Sequence, residues 1–316
     1  MGQFIKKMGL IVACLLLTGC MSEKYAEIPD DMKFVATFNQ IDRSITFFNE
    51  NFEVMTTWSL EEKYSGATLI GNDAIALFGP TVDIITIYQL STGEEVTKIK
   101  DAMGTTNVIY DDNRKWIYVA NKEHNTISKF DLEGNYKAET MVGNYPLTME
   151  IEKDRLYVLN FKSDYLSVVD LNSFEESEQW EVPSSSNGLI INSKHQEIWV
   201  GGHGEHTSNT EVLVISSLNG EVIKRLPAPE MPIALAQSEN LISVISHGSN
   251  MLYQFSNDGK KVNEIEVGAN PFTIVNFKNF IITAGYDDNT MYVINKIGEI
   301  QSYATGNGPF QLVVRE

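Results

Sequence analysis

The feature that most constrains this sequence is a pair of strand-like segments that recurs seven times. The first member of each pair is a short run rich in β-branched and aromatic residues, and these runs begin at Phe34, Ile75, Ile117, Leu156, Ile198, Ile242 and Ile281. Successive runs are 39 to 44 residues apart, which is the period of propeller blades. The second members keep the same phase and begin at Ile45, Ile85, Ile127, Leu166, Val212, Leu252 and Met291. Two series that agree in number and period predict seven copies of one structural unit.

Each unit is predicted to hold four strands. Turn signals such as Asn219-Gly220 follow the pair and predict a hairpin to a further strand. Another strand precedes the pair and begins with Pro146, Pro232 or Pro271, where the missing N–H does not break a ladder. Many runs are apolar at consecutive positions, which requires burial on both faces of the sheet. The pattern therefore predicts an all-β, seven-bladed β-propeller of four-stranded antiparallel blades over residues 32–316.

The two ends of the chain predict how the ring closes. The first unit has no strand before its pair, and the chain ends in an unpaired strand pattern that begins at Pro309. We therefore expect the C-terminal strand to complete the first blade and to remove two exposed sheet edges.

One local motif predicts a departure from the all-β pattern. Ser59-Leu60-Glu61-Glu62 has the spacing of a capping box, in which a serine and a glutamate satisfy free N–H groups at a helix start. We expect one helical turn between blades 1 and 2.

Residues 1–19 have the layout of an export signal. Lys6 and Lys7 precede an apolar run over residues 8–17, which is shorter than the roughly 20 residues a helix needs to cross a bilayer. The run ends in Leu17-Thr18-Gly19-Cys20, which resembles the lipobox of bacterial lipoproteins. That resemblance implies cleavage before Cys20, attachment of a diacylglyceryl group to its sulfur, and anchoring on the extracytoplasmic side of the cell membrane. Residues 20–31 are then the lipidated cysteine and a polar tether.

Composition excludes two classes of function. The chain has 42 acidic and 24 basic residues, for a formal net charge of −18, and it has no basic run, so we expect no nucleic-acid partner. Cys14 lies in the signal and Cys20 would carry lipid, so the mature domain has no thiol for a disulfide or a nucleophile. The expected protein is a monomer with no resident cofactor. Its expected partners are an envelope protein or a small-molecule ligand, together with the membrane through Cys20.

Two of the repeats carry a family resemblance. Residues 118–121 are Tyr-Val-Ala-Asn and residues 157–160 are Tyr-Val-Leu-Asn, and each is followed by a strand that ends in Asp-Leu. These segments resemble the YVTN-type repeats of bacterial and archaeal seven-bladed β-propellers. The relatives include lactone hydrolases, a metal-dependent antibiotic lyase and exported proteins with no known chemistry. The resemblance therefore implies the fold and leaves the function open.

Four histidines fall in loops that share one face of the predicted ring. His124, His203, His206 and His247 follow the first strand of a pair, whereas His195 lies in a turn on the opposite face. His203 and His247 hold the same repeat position in adjacent blades, so their side chains can approach each other.

These histidines allow two interpretations. In the first, His203, His206 and His247 bind a divalent metal or an anionic ligand, and Glu205 or Asp287 assists. In the second, they are solvated loop residues, because a His-x-x-His pair in a Gly-rich loop lacks the fixed geometry of helical metal motifs.

The same loop position holds a mixed set of residues in the other blades. It is occupied by Asn39, Pro80, Lys122, Phe161 and Tyr286. The aromatic members are either anchors for a ligand or packing at the mouth of the channel.

The sequence supports two functional hypotheses. The first is a non-enzymatic, lipid-anchored propeller whose loop face, including His124, Tyr286 and Asp287, binds a protein or small ligand. The second is a metal-dependent hydrolase or lyase, similar to a lactonase, that uses the histidines of this face. The enzyme requires the side chains of His203 and His247 to converge.

Overall fold

The computed structural model describes residues 24–100 and 103–316. They form seven four-stranded antiparallel sheets arranged as the blades of a propeller, as the repeat predicts. The described residues contain no α-helix, so this part of the chain offers no helical segment able to span a membrane. The predicted signal and Cys20 lie outside the described residues.

Every blade has an inner strand beside the channel, followed outward by a second, a third and an outer strand. Blade 1 contains β1 (Phe34–Asn39), β2 (Ser44–Asn49) and β3 (Val54–Ser59). Blade 2 contains β4 (Gly66–Ile70), β5 (Ala74–Phe78), β6 (Ile84–Gln89) and β7 (Glu95–Lys100). Blade 3 contains β8 (Thr105–Asp111), β9 (Trp116–Asn121), β10 (Thr126–Phe130) and β11 (Tyr136–Met141). Blade 4 contains β12 (Pro146–Glu152), β13 (Arg155–Asn160), β14 (Tyr165–Asp170) and β15 (Glu175–Glu181).

The remaining blades repeat this order. Blade 5 contains β16 (Ser186–Asn192), β17 (Glu197–Gly202), β18 (Glu211–Ser216) and β19 (Val222–Pro227). Blade 6 contains β20 (Pro232–Gln237), β21 (Leu241–Ser246), β22 (Met251–Ser256) and β23 (Lys261–Glu266). Blade 7 contains β24 (Pro271–Phe277), β25 (Phe280–Gly285), β26 (Thr290–Ile294) and β27 (Ile300–Ala304). The last strand, β28 (Pro309–Arg315), is the inner strand of blade 1.

This strand order sorts the connections onto two faces of the ring. Loops from second to third strands, and from each outer strand to the next inner strand, lie on what we call the upper face. Turns from inner to second strands and from third to outer strands lie on the lower face.

The ring closes as the sequence predicts. β28 pairs antiparallel with β1, with Val314 opposite Val35 and Leu312 opposite Thr37. Beyond its own blade, Gln311 donates its side-chain N–H to the carbonyl of Ala67 and accepts the N–H of that residue, both at 2.9 Å. The C-terminal strand therefore joins blade 1 to blade 2.

The core lies between neighbouring blades. All six residues of β1 and all six of β17 are buried, whereas in the outer strand β3 only Trp58 is buried. Between blades 5 and 6, Trp199 packs against Phe255 with 6.0 Å between ring centroids. The consecutive apolar residues are explained by this sandwiching, since each sheet contacts a neighbour on both faces.

The asparagine that ends the Tyr-Val-Leu-Asn segment has a structural role. The side-chain N–H of Asn160 donates to the carbonyl of Tyr165 and to the hydroxyl of Ser167, at 3.2 and 2.9 Å. Asn39 makes the same kind of bonds to Ser44 and Thr46 in blade 1. These bonds tie together the upper ends of the second and third strands.

The predicted helical turn after blade 1 is wrong. Ser59 is the last residue of β3 and pairs with Ser44 of β2, and residues 60–65 are irregular. The burial of Trp58 against the core keeps this segment extended, so strand pairing overrides the capping-box spacing.

Residues 24–31 pack beneath blades 1 and 2, which shortens the expected tether. Tyr25 stacks on Trp58 with 4.6 Å between ring centroids and donates its backbone N–H to the carbonyl of Gly93 at 2.8 Å. Ile28 is fully buried. The indole N–H of Trp58 donates to the carbonyl of Ala26 at 3.0 Å.

Arg315 fastens this N-terminal segment to the end of the chain. Its buried guanidinium donates to the carbonyl oxygens of Pro29, Met32 and Asn72. It also lies over the ring of Phe34, 4.7 Å from the centroid. The first and last described residues are therefore held together on the lower face.

Candidate functional site

Seven aromatic rings form an arc around the upper mouth of the channel. In order of contact they are Tyr145, Phe161, His203, His247, Phe272 and the pair Phe310 and Tyr286, and we call this set the aromatic arc. Neighbouring ring centroids are 4.4 to 6.4 Å apart, the range of stabilising ring contacts. All seven rings are partly exposed. The arc follows blades 4, 5, 6, 7 and 1 and is open over blades 2 and 3.

The histidines stand at the centre of this arc. The rings of His203 and His247 are 5.8 Å apart, and His247 lies 4.4 Å from Phe272. The predicted approach of His203 and His247 is therefore confirmed. In blade 1 the loop residue equivalent to His203 and His247 is Gln40, which lines the channel. We expected Asn39 at this position, and that expectation is wrong because Asn39 is the buried last residue of β1.

Repeated asparagines fix the backbone that carries the arc. The side-chain oxygens of Asn125, Asn250 and Asn289 accept the backbone N–H of Tyr145, Asn270 and Gly308. The three donors, Tyr145, Asn270 and Gly308, each directly precede an inner strand and have a positive φ, which is 61° at Tyr145. A bulky residue rarely adopts a positive φ. The hydrogen bond from Tyr145 in blade 4 to Asn125 in blade 3 therefore holds Tyr145 in a strained backbone conformation at the mouth.

Below the arc lies a cavity of about 520 Å³ inside the channel. Its upper wall is built from one position in successive inner strands, represented by Thr106, Leu147, Asn187, Ile233 and Phe272. Most of this wall is apolar, with a few amide and hydroxyl groups. The size and lining are those of a small-molecule site.

Two buried side-chain atoms, one in the arc and one in a residue of the cavity wall, have no hydrogen-bond partner among the described residues. They are Nδ1 of His203 and the side-chain oxygen of Asn187. Unpaired buried polar atoms are costly, and a rotation of either side chain toward the cavity would let a bound molecule pair with it.

The two histidines are electrostatically unusual for surface loops. Burial lowers the pKa of His203, and the neighbouring His247 lowers it further. Burial also lowers the pKa of His247, although its hydrogen bond to the carbonyl of Pro271 and the charge of Asp287 oppose this. Both imidazoles are therefore neutral near pH 7.

Positive charge is concentrated at one end of the arc. The ammonium groups of Lys122 and Lys162 each lie 5.1 Å from the ring centroid of Tyr145. Cations over an aromatic face polarise that end of the arc, whereas the other end is close to the acidic loop of Asp287.

A carboxyl group, that of Glu150, lies lower on the wall of the channel. Glu150 lies two residues below Thr148 on β12, and the corresponding residues of the other inner strands are Thr68, Ile109, Ile190, Ala236, Val275 and Val313. Its side chain is open to the channel but enclosed by protein, which raises its pKa to about 7.

The remaining predicted residues lie outside the arc. His124, Glu205, His206 and Asp287 are exposed on the upper face, and Glu205 accepts a hydrogen bond from the hydroxyl of Ser184. Within residues 24–100 and 103–316, no group of three or more His, Cys, Asp or Glu side chains is placed to hold a metal ion. Of the three donors that we predicted, the described structure brings His203 and His247 together and leaves His206 exposed outside the arc.

Sequence reasoning missed three members of the arc, Tyr145, Phe272 and Phe310. The signal for two of them was present, because Phe272 and Phe310 each follow the proline that begins an inner strand. That position repeats from blade to blade and points into the mouth.

Comparison with known proteins supports the fold and leaves the function open. Neither a family model nor a curated protein matches the chain in sequence. Among solved structures, a functionally unknown protein from Desulfotomaculum acetoxidans aligns with a TM-score of 0.75 and 8% identity over 89% of this chain and 98% of that one. Kuenenia stuttgartiensis hydrazine synthase aligns with a TM-score of 0.72 and 15% identity over 82% of this chain and 91% of that one. Virginiamycin B lyase from Staphylococcus aureus aligns with a TM-score of 0.63 and 11% identity over 76% of this chain and 83% of that one. At these identities the likeness shows the propeller fold alone.

Proposed function

We propose that this protein is a non-enzymatic, lipid-anchored binding protein on the extracytoplasmic side of the cell membrane, and that its channel mouth holds a small planar ligand. The observation that carries the proposal is the aromatic arc above the cavity. Aromatic rings that are partly exposed and already in contact form a preorganised surface for a planar ligand.

The contacts favour a small ligand over a protein partner. The cavity is concave and about 520 Å³ in volume, within the range of roughly 300 to 1,000 Å³ that small molecules occupy. The buried Nδ1 of His203 and side-chain oxygen of Asn187 have no partner among the described residues, and they would orient a ligand once their side chains rotate toward it. A protein partner would have to insert a side chain to reach these atoms.

Fluorescence of 1-aminoanthracene, an uncharged planar probe, tests this proposal. Phe272→Ala removes a ring that contacts His247, Tyr286 and Phe310, and we expect it to weaken probe binding about tenfold, as the loss of one stacking contact predicts. Tyr136→Ala is the matched control because Tyr136 is 60% exposed on an outer strand, away from the mouth. Unchanged binding by Phe272→Ala, or equal losses in both variants, would contradict the proposal.

The alternative is a metal-dependent hydrolase or lyase. The contact between His203 and His247 favours it, but the described residues provide no third ligand. Metal analysis of the purified protein separates the two functions. Binding of about one equivalent of metal that is lost in His203→Asn would support the enzyme, and less than about a tenth of an equivalent would end that alternative.

A further inference from the structure

Exposed apolar side chains are gathered on the lower face. The turns from third to outer strands carry Leu132, Leu218 and Ile297, and the last two are 62% and 79% exposed. These turns are equivalent in blades 3, 5 and 7. Isolated exposed apolar residues are ordinary, but a repeated set on one face indicates a contact surface.

The outer strands extend this set around the ring. Each outer strand begins at the lower face, and six of the seven carry an exposed apolar residue at the first or second position, namely Val54, Val96, Tyr136, Val222, Val262 and Ile300. We call these residues, with the three in the turns, the lower rim. The described residues of the upper face include three large apolar side chains that are similarly exposed, Ile41, Met103 and Met141, against nine in the lower rim.

The N-terminal segment leaves the fold at the same edge. Lys24 pairs with Glu94, and Tyr25 is hydrogen-bonded to Gly93 at the lower end of blade 2. Four Cα steps separate Lys24 from Cys20, a reach of at most about 14 Å. A blade strand of six residues is itself about 20 Å long. A lipid on Cys20 therefore holds the lower face close to the bilayer. The segment between Cys20 and Lys24 is too short to extend along a blade to the upper face.

We infer that the lower rim rests in the headgroup region of the membrane to which Cys20 is attached, so that the channel mouth points away from the bilayer. This inference rests on the lipid anchor of the proposed function. The apolar side chains of the lower rim enter the interface between headgroups and acyl chains, where single apolar residues are stable. A ligand then reaches the aromatic arc from the aqueous side.

Photo-cross-linking tests this orientation. The full lipoprotein is extracted from its membrane and reconstituted in vesicles of phosphatidylethanolamine and phosphatidylglycerol that contain a phospholipid with a diazirine in its headgroup. After illumination, mass spectrometry maps the cross-linked peptides. We expect peptides of residues 131–136, 217–223 and 296–300 to be labelled about fivefold more than peptides of the upper loops 203–209 and 286–289, since an interfacial surface contacts headgroups directly.

A variant and its control make the test specific. Replacing Leu132, Leu218 and Ile297 together with serine should reduce labelling of the lower turns severalfold. Replacing the three exposed apolar residues of the upper face with serine should change nothing. Equal labelling of both faces, or wild-type labelling of the lower-rim variant, would overturn the inference.

The mass of the N-terminal peptide separates this inference from the anchor on which it rests. An unmodified Cys20 would overturn the anchor and the orientation together. Lipid on Cys20 with cross-links in the upper loops would overturn the orientation and leave the anchor intact.

Discussion

Replacing Arg315 with alanine tests how strongly the two ends of the chain hold the ring closed. The guanidinium donates to three backbone carbonyl oxygens and lies over the ring of Phe34. Each hydrogen bond contributes a net free energy of about 1 kcal/mol, and the ring contact contributes about 1 kcal/mol more. Burial lowers the pKa of Arg315, which shows that desolvation of the cation offsets part of this gain. We therefore expect Arg315→Ala to lower the free energy of unfolding by about 3 kcal/mol.

The assay is urea denaturation followed by tryptophan fluorescence. Trp58 is a suitable reporter because it stacks on Tyr25 in the segment that Arg315 fastens. In a thermal melt the same loss should lower Tm by about 6 to 12 °C, since about 1 kcal/mol shifts a domain of this size by about 2 to 4 °C. Arg315→Lys keeps the charge but loses the planar fork, so its loss should be intermediate.

Arg225→Ala is the matched control for loss of an arginine. Arg225 pairs with Glu211 on an exposed outer strand, where an ion pair contributes less than about 1 kcal/mol. If Arg315→Ala costs no more than Arg225→Ala, the reasoning about the closed ring is refuted.

Three further changes follow from other features. Deleting residues 309–316 removes the inner strand of blade 1 and should abolish the cooperative thermal transition; an unchanged melt would show that β28 does not latch the ring. Glu150→Gln should raise the free energy of unfolding by about 1 kcal/mol at pH 8 and leave it unchanged at pH 4. Because the pKa of Glu150 is raised in the folded protein, ionising its carboxyl group destabilises the fold increasingly between about pH 4.5 and pH 7. Water in the open channel screens this penalty, which keeps it small. An equal gain at both pH values in urea titrations would contradict this. Gly188→Ala would place its Cβ 2.5 Å from Cδ1 of Leu235 and should cost about 2 kcal/mol by overpacking; an unaltered midpoint in urea would argue against a tightly packed channel wall.

The sequence was sufficient to predict the fold because the strands that specify it are buried on both faces. The segments at Ile198 and Leu166 are apolar at consecutive positions, and the packing of adjacent blades requires this pattern. The closing strand was predictable because one unit lacked a strand and the chain ended with one. The helical turn at Ser59 was wrong because a two-residue capping pattern is weaker than the pairing of a strand with its neighbour.

The site could be predicted only in part. The equivalence of His203 and His247 followed from the repeat, and so did their approach. The contact of His247 with Phe272 joins a loop of one blade to the inner strand of the next, and loop length alone does not show which side chains turn inward. The bond from Asn125 to the backbone of Tyr145 was hidden for the same reason. Glu150 was missed because the strand pattern alone does not show that this position of β12 faces the channel.

The pairing of β28 with β1 also governs when the protein can fold. Phe34 and Arg315 lie opposite each other in one sheet although 281 residues separate them in the chain. A chain that is synthesised from its N-terminus delivers β28 after all the other strands. Until then blade 1 lacks its inner strand, and blade 2 lacks the bonds that Gln311 makes to Ala67. The ring therefore closes only after the whole chain has been made, so the finished propeller cannot form while the chain is still growing.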